Sequence, residues 1–434
     1  MEEKGKVDLL IKGGRVIDPS QGLDGKRDIL VSGGKIREIG DKISTKGKDI
    51  TVIDASGLIV SPGLIDMHTH LREPGREDEE TIETASHAAA AGGFTSIVAM
   101  PNTDPVNDNG AITDFIHNEA KKRAIVNVFC TGSITKGMKQ EQLSELGELA
   151  HAGCVGFTED GYSVKDSDMM RRAMEYIKMF DLPVISHCED KSLSRNGVMH
   201  EGFISTELGL AGIPRESEEI MAAHDIILSK MTGVKLHITH VSSAGTVELI
   251  KNAKKKGLTV TADATPHHFS LTDESVRGYD SNFKVNPPLR EKSDVKAIIK
   301  GLKDGTIDAI ATDHAPHHLA EKDVEFNLAP FGLIGLQTAL PLALKLYHSG
   351  ELTLNDIIRL LTKAPREILN LKKGSLAQGS DADITIINPD LKFRFEEKDI
   401  KSLSRNSPFI GWDLKGKAVT TIVSGKIVYN SAKC

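Results

Sequence analysis

The sequence predicts an α/β fold, a (β/α)8 TIM barrel with a small β-sandwich domain built from both chain ends. Three observations predict it. Short apolar runs alternate with helix-like segments through the middle of the chain. Glycine-punctuated β-hairpin patterns occupy both ends. Residues able to carry chemistry recur where the middle runs stop, and the mouth of such a barrel lies at the C-terminal ends of its strands.

The end segments read as one domain in two parts, 1–61 and 366–434. DLLIKGGRVID (8–18) and DILVSGGKIREIG (28–40) each read as two strand-like runs around a Gly-Gly turn. TVIDASGLIVSPG (51–63) continues the pattern, and ADITIINPD (382–390) and TTIVSGKIVYN (420–430) resume it. SGGKI at 32–36 is echoed by SGKIV at 424–428, which is too little for a solenoid repeat.

The barrel is assigned to 62–365. Its eight strand candidates are 63–71, 95–101, 126–134, 154–160, 183–189, 235–242, 258–268 and 307–317. Helical spacing lies between them, as in ETIETASHAAAAGG (80–93), SDMMRRAMEYIKMF (167–180) and TVELIKNAKKKG (246–257). No G-x-G-x-x-G follows a strand, which argues against a doubly wound nucleotide-binding sheet.

Composition narrows the class. Of 434 residues, 39% are hydrophobic and 26% charged, with a formal net charge of −7. Such a chain has no basic footprint for nucleic acid or anionic membrane. The charged start MEEKGKVDLLIKGG is unlike a secretory leader, and no run reaches membrane-spanning length, so a cytoplasmic location is expected. Cys130, Cys154, Cys188 and Cys434 show no C-x-x-C spacing and fit a reducing compartment, and the first three read as small core residues.

The first candidate strand ends in His68-Thr69-His70. Side chains alternate along a strand, so the two imidazoles share a face and form half of a metal site. Later strands contribute Glu159-Asp160, His187, His240 and Asp313. Alone, H-x-H is weak; joined by these residues at the barrel mouth it becomes specific. Nitrogen and carboxylate donors without thiolate suit Zn2+, one or two per chain, with Mn2+ or Co2+ as substitutes. His68 and His70 suit one ion and His187 and His240 a second, with Asp160 the candidate anion between them. His237 precedes His240 by three residues, so alternation makes it structural. Of His267 and His268, consecutive in a strand candidate, at most one should face inward. His314 and His318 read as solvent or packing residues. His87, His117, His151, His200, His224 and His348 read as surface or capping groups.

HTHLREPG (68–75), MPNTDP (100–105), GFTEDG (156–161), SHCED (186–190), HITHVSSAGTVELI (237–250), TPHHFSLTDE (265–274), FKVNPPLR (283–290), ATDHAPHH (311–318) and APFGLIGLQTALP (329–341) span nearly the whole chain. Together they closely resemble the bacterial class I dihydroorotases of the amidohydrolase superfamily. The resemblance implies reversible, metal-dependent cyclisation of N-carbamoyl-L-aspartate to L-dihydroorotate in de novo pyrimidine biosynthesis. It implies that His68, His70 and Asp313 hold a first ion, that His187 and His240 hold a second, and that Asp160 touches both. Many relatives bridge their ions with a carbamylated lysine, but GFTEDG has none and Lys165 lies past the strand end.

Asp313 is then the acid and base catalyst. Arg72, two residues beyond His70, suits a bidentate clamp on the substrate's spectator carboxylate. Asn102 and His317 join it, Asn286 meets the ring or ureido group, and His70 also faces substrate. Backbone groups at Phe331 and Gly332 are implied by the resemblance alone. The polar stretch HHLAEKDVEFNLAP (317–330) is expected to be a mobile lid. The resemblance also suggests a homodimer and a complex with aspartate carbamoyltransferase. Two rival readings remain. One is another cyclic amidohydrolase, a dihydropyrimidinase, hydantoinase or allantoinase, which needs no carboxylate clamp. The other is a metal-free scaffold, which would have lost ligands that this chain keeps.

Overall fold

The computed structural model describes residues 8–44 and 50–431. Residues 1–7 of the expected N-terminal domain part and Cys434 lie outside the described residues.

Eight strand positions build the barrel. They are Leu64–Thr69, Phe94–Ala99, Asn127–Cys130 with its continuation Gly132–Ser133, Phe157–Thr158, Val184–Ser186, Leu236–Ile238, Val260–Ala264 and Ala309–Ile310. Neighbouring strands pair in parallel. The third meets the fourth through Val155 N donating to Cys130 O at 3.0 Å. The ring closes where Thr69 bridges His314 and His70 N donates to His314 O at 2.9 Å.

Each sequence-predicted strand overlaps an observed one, but the observed strands are shorter. His68 lies within Leu64–Thr69, but elsewhere the chain leaves strand geometry before the candidate site residues and carries them on loops. The run 258–268 shows why. Strand pairing stops at Ala264, and Thr265, whose hydroxyl accepts from His268 N, caps a short helix Pro266–Ser270 with proline in its first turn. His267 and His268 are therefore both buried, which corrects the expectation that only one faces inward.

The outer helices follow the sequence closely. Ile82–Gly92 is capped by the Thr81 side chain, buries its alanines and stops at Gly93, whose φ of 92° is left-handed. Phe94, fully buried in the main core cluster beside these alanines, begins the second barrel strand. Phe94→Ala is expected to cost about 3–5 kcal/mol. A lower melting temperature with unchanged metal content checks it.

The two chain ends form a single eight-stranded sheet. Leu9–Asp18 is central; it pairs antiparallel with Leu23–Ser32 and parallel with both Thr51–Asp54 and Ile59–Pro62. Ile384–Arg394 joins antiparallel to Ile59–Pro62, followed by Asp413–Val423 and Lys426–Asn430. The far edge, Lys35–Gly40, returns to the other end through the Lys35–Asp381 bridge and Ile36 N donating to Ser380 O. The sheet thus rolls around Leu9, Ile11, Val31, Ile36, Ile384 and Ile422.

The two Gly-Gly signals fold differently. Gly33-Gly34, with φ of 59° and 78°, turns a tight hairpin. Gly13-Gly14 instead makes a bulge inside one long strand, so 8–18 is not a hairpin. Val60 Cγ2 would lie 2.5 Å from a Cβ at Gly14, so this close approach requires glycine there.

The expected boundary between 365 and 366 also shifts. It falls inside the helix Lys363–Ile368, and Ile368, Leu369 and Leu371 pack with Ile65, Met67 and Val98 of the barrel strands. The chain joins the rolled sheet's core only at Leu376.

Candidate active site

A cavity of about 470 Å3 opens at the C-terminal ends of the barrel strands. It is lined by His70, Arg72, Asn102, Asp160, His187, His240, Asn286, Asp313, His317 and Phe331, among others. His68 lies beneath, fully buried.

His68, His70 and His187 are each fixed by a partner on the ring nitrogen away from the others, His187 through Glu189. His68 Nδ1 is 2.9 Å from Thr239 Oγ1, and His70 Nδ1 is 2.9 Å from Asn102 Oδ1. The opposite nitrogens converge on carboxylates. His68 Nε2 lies 3.4 Å from Asp160 Oδ1 and 3.6 Å from Asp313 Oδ1. His70 Nε2 lies 3.1 Å from Asp313 Oδ1 and 3.4 Å from Asp160 Oδ2. On the other side, His187 Nδ1 and His240 Nε2 are 3.0 Å apart, and each is within 3.8 Å of Asp160 Oδ1. Asp160 thus stands between the two histidine pairs.

Burial disfavours a charged imidazole, yet the carboxylates of Asp160 and Asp313 raise His68 to about 10. Burial likewise opposes ionisation of Asp160 and Asp313, but the imidazoles around them hold both well below the usual carboxylate range. A cation would displace that shared proton.

Backbone strain marks the same residues. Arg72, His240 and Asp313 have φ of 59°, 39° and 48°, a region that side chains rarely occupy. The expected alternation between His237 and His240 therefore fails at His240, which lies past the strand end at Ile238. His237 Nε2 instead lies 2.8 Å from Asp263 Oδ2, while Asp263 Oδ1 accepts from His240 N at 2.7 Å. His237 thus steadies His240 through Asp263.

The clamp residues sit at one side of the cavity. Arg72 Nε lies 3.1 Å from Pro316 O and 2.9 Å from Glu79 Oε2, and its Nη2 is 3.3 Å from His317 Nε2. His317 Nδ1 is 3.0 Å from Glu79 Oε1. Across the cavity, Asn286 Nδ2 donates to Glu189 Oε2 at 2.9 Å, and His187 Nε2 and Lys191 Nζ meet the same oxygen.

Three expectations need correction. Gly332 N donates to Lys284 O at 2.8 Å, and Gly332 O accepts from Lys322 and Asn406, so neither group is presented to a ligand. The segment 317–330 is pinned rather than loose. Lys322 Nζ donates to Pro330 O, Lys284 Nζ donates to Phe326 O and Asn327 O, and Phe326 and Ala329 are buried. His200 is likewise no surface residue: it is buried between the guanidinium groups of Arg215 and Arg290. His314 packs against Glu80.

Sequence reasoning passed over Glu79, Glu189, Thr239 and Asp263. Glu79 was hidden in the acidic run REDEE, which reads as a solvated face, although it directly follows REPG. Asp263 lies two positions beyond Thr261 in a strand, and alternation alone could have placed the two side by side.

Two family models match the chain. The one described as Dihydro-orotase-like covers residues 57–246, and the one described as Amidohydrolase family covers 336–429. A dihydroorotase of Geobacter sp. strain M21 is 53% identical over 425 residues, covering 98% of this chain and 100% of its own. The dihydroorotase of Geobacter metallireducens is 54% identical over 423 residues, covering 98% and 100%. Among solved structures, the L-hydantoinase (dihydropyrimidinase) from Arthrobacter aurescens superposes with a TM-score of 0.88 at 25% identity, covering 98% of this chain and 96% of that one. Dihydropyrimidinase from Brevibacillus agri NCHU1002 gives 0.84 at 23% identity, covering 98% and 95%, and shares the fold.

Proposed function

This chain belongs to the dihydroorotase family, and we propose that it works through a cation centre, an Asp313 proton relay and an Arg72 carboxylate clamp. It is a cyclic amide hydrolase that interconverts N-carbamoyl-L-aspartate and L-dihydroorotate. One observation carries the reading of the site: Arg72 and His317 stand beside the histidine–carboxylate cluster in one cavity. An arginine there is what a carboxylated ring requires and what a hydantoin does not.

The donor set fits divalent cations. Among the described residues, His68 Nε2, Asp160 Oδ1 and His240 Nδ1 are buried without a hydrogen-bond partner. Donor atoms of His68, His70 and Asp313 lie within 4.8 Å of one another, as do those of His68, Asp160 and His240. His68, His70 and Asp313 would hold one ion, His187 and His240 a second, and Asp160 would touch both; Zn2+ suits these donors, with Mn2+ or Co2+ as substitutes. Bound there, the ions would polarise the amide or carboxyl carbonyl and make water a nucleophile near neutral pH.

The protein's own groups handle protons and orientation. In ring opening, Asp313 takes a proton from the attacking water and passes it to the leaving ring nitrogen. In ring closure, it takes the proton from the attacking ureido nitrogen and passes it to the departing carboxylate oxygen, which leaves as water with a second proton drawn from solvent. Arg72, Asn102 and His317 hold the spectator carboxylate, His70 and Phe331 line its surroundings, and Asn286 meets the ureido edge.

Incubation with a chelator is expected to abolish turnover and lower the melting temperature, and added Zn2+ should restore both. Full activity in protein shown by elemental analysis to lack divalent metal would remove the cation centre. The substrate assignment is tested by following dihydroorotate absorbance in both directions. Faster opening of hydantoin or allantoin than of dihydroorotate would overturn it.

Among the described residues, no helix is long and apolar enough to cross a membrane. A cytoplasmic location, a homodimer and an assembly with aspartate carbamoyltransferase complete the proposal.

A further inference from the structure

Arg72 and His317 reach the cavity from segments far apart in sequence, and one buried carboxylate touches both. Glu79 is 1% exposed. Its Oε2 lies 2.9 Å from Arg72 Nε, and its Oε1 lies 3.0 Å from His317 Nδ1. Arg76 Nη2 is 3.1 Å from Oε1 as well. No other carboxylate pairs with Arg72 among the described residues, so Glu79 is the charged partner that sets its direction.

Glu79 is itself firmly placed. Its N–H donates to Arg76 O at 2.9 Å, and its carbonyl accepts from Ser404 Oγ at 2.6 Å. The next residue, Glu80, is buried and accepts from Leu403 N and Ser402 Oγ. The pair therefore docks on 402–404, next to Asn406, whose Oδ1 accepts from His317 N at 3.2 Å. Both clamp residues are held against one frame.

This arrangement has a chemical consequence. Glu79 and Pro316 O occupy the Nε edge of Arg72 and His317 Nε2 lies 3.3 Å from its Nη2, which leaves Nη1 to face an anion. A carboxylate at Nδ1 makes that nitrogen of His317 a donor and fixes the plane of the ring. Neither effect requires Glu79 to touch substrate.

We infer that Glu79 is the positioning residue of the clamp: it aims Arg72 and His317 together, and so makes the site prefer a ring bearing a carboxylate over one without it. The inference rests on the dihydroorotase reading of the cavity. Glu79 differs from a generic structural carboxylate because its side-chain partners include the two groups assigned to one substrate anion.

Glu79→Gln tests it. The amide keeps the shape but must turn an N–H toward one of the two donors. The measurements are kcat and KM with dihydroorotate and with N-carbamoyl-L-aspartate, and inhibition constants for orotate and for uracil, the same ring without its carboxylate. Losing one charge-assisted hydrogen bond should raise KM and the orotate constant about 10–100-fold. The kcat, metal content and uracil constant should change by no more than a few fold. Glu79→Asp, which keeps the charge but shortens the reach, should fall between and serves if the glutamine variant fails to fold. Unshifted KM and orotate inhibition would overturn the inference. So would a parallel fall in kcat, stability and affinity for both rings, which marks a purely structural role. Wild-type protein inert toward dihydroorotate would instead remove the functional reading beneath it.

Discussion

Replacing Asp313 by asparagine is expected to lower turnover in both directions by ~10²–10⁴-fold while leaving the metal content near that of the parent. The argument begins with geometry. Asp313 Oδ1 lies 3.1 Å from His70 Nε2 and 3.6 Å from His68 Nε2, so it belongs to the cluster and also faces the cavity. Asparagine keeps an oxygen for the cluster but cannot shuttle a proton. It also tolerates the left-handed backbone that Asp313 adopts at φ 48°, so the substitution adds little strain. Dihydroorotate absorbance followed both ways, with elemental analysis of the same sample, checks it. A variant that retains full activity would take the proton relay away from Asp313. A variant that loses metal and activity together would show ligation to be its main role.

Arg72→Met should raise KM for both substrates by ~10²-fold, because charge-assisted hydrogen bonds contribute about 1.5–3 kcal/mol each and the clamp supplies more than one. The kcat should fall much less. A spectator carboxylate is held alike in the ground and transition states, so its loss is felt as binding. Methionine fills much of the arginine's buried volume, and Glu79 keeps His317 and Arg76 as partners. Steady-state kinetics in both directions checks the split. A collapse in kcat at unchanged KM would mean that Arg72 aligns the reacting atoms or acts on them rather than on the spectator group.

How much of this was legible in the sequence depended on the kind of signal. The barrel strands were visible because apolar runs bounded by turn residues survive any change of context. The histidines and carboxylates were visible because they sit at strand ends, where chain position and spatial position coincide. Their exact facing was less legible. His240 and Asp313 lie past the ends of their strands, at Ile238 and Ile310, in left-handed geometry, where the two-residue alternation no longer applies. Gly13-Gly14 misled for a related reason: a glycine pair permits both a turn and a bulge, and only the pairing with Leu23–Ser32 on both sides of the pair decides between them. Glu79 was illegible because an acidic run looks solvated until its partners, supplied by Arg72 and by His317 far along the chain, are known. The segment 317–330 looked loose because its anchors are lysines, and a lysine aimed inward at carbonyl groups leaves no mark in a polar stretch.

The rolled sheet orders events during synthesis on the ribosome. Ile59–Pro62 pairs with Leu9–Asp18 on one side and with Ile384–Arg394 on the other, and the whole barrel is made between them. Until the late strand emerges, the early strands carry an unpaired edge, the feature that recruits foreign strands and seeds aggregation. A chain cut short before residue 384 keeps every candidate catalytic side chain and still lacks that closing strand. Premature termination would therefore yield insoluble protein more readily than soluble, inactive enzyme.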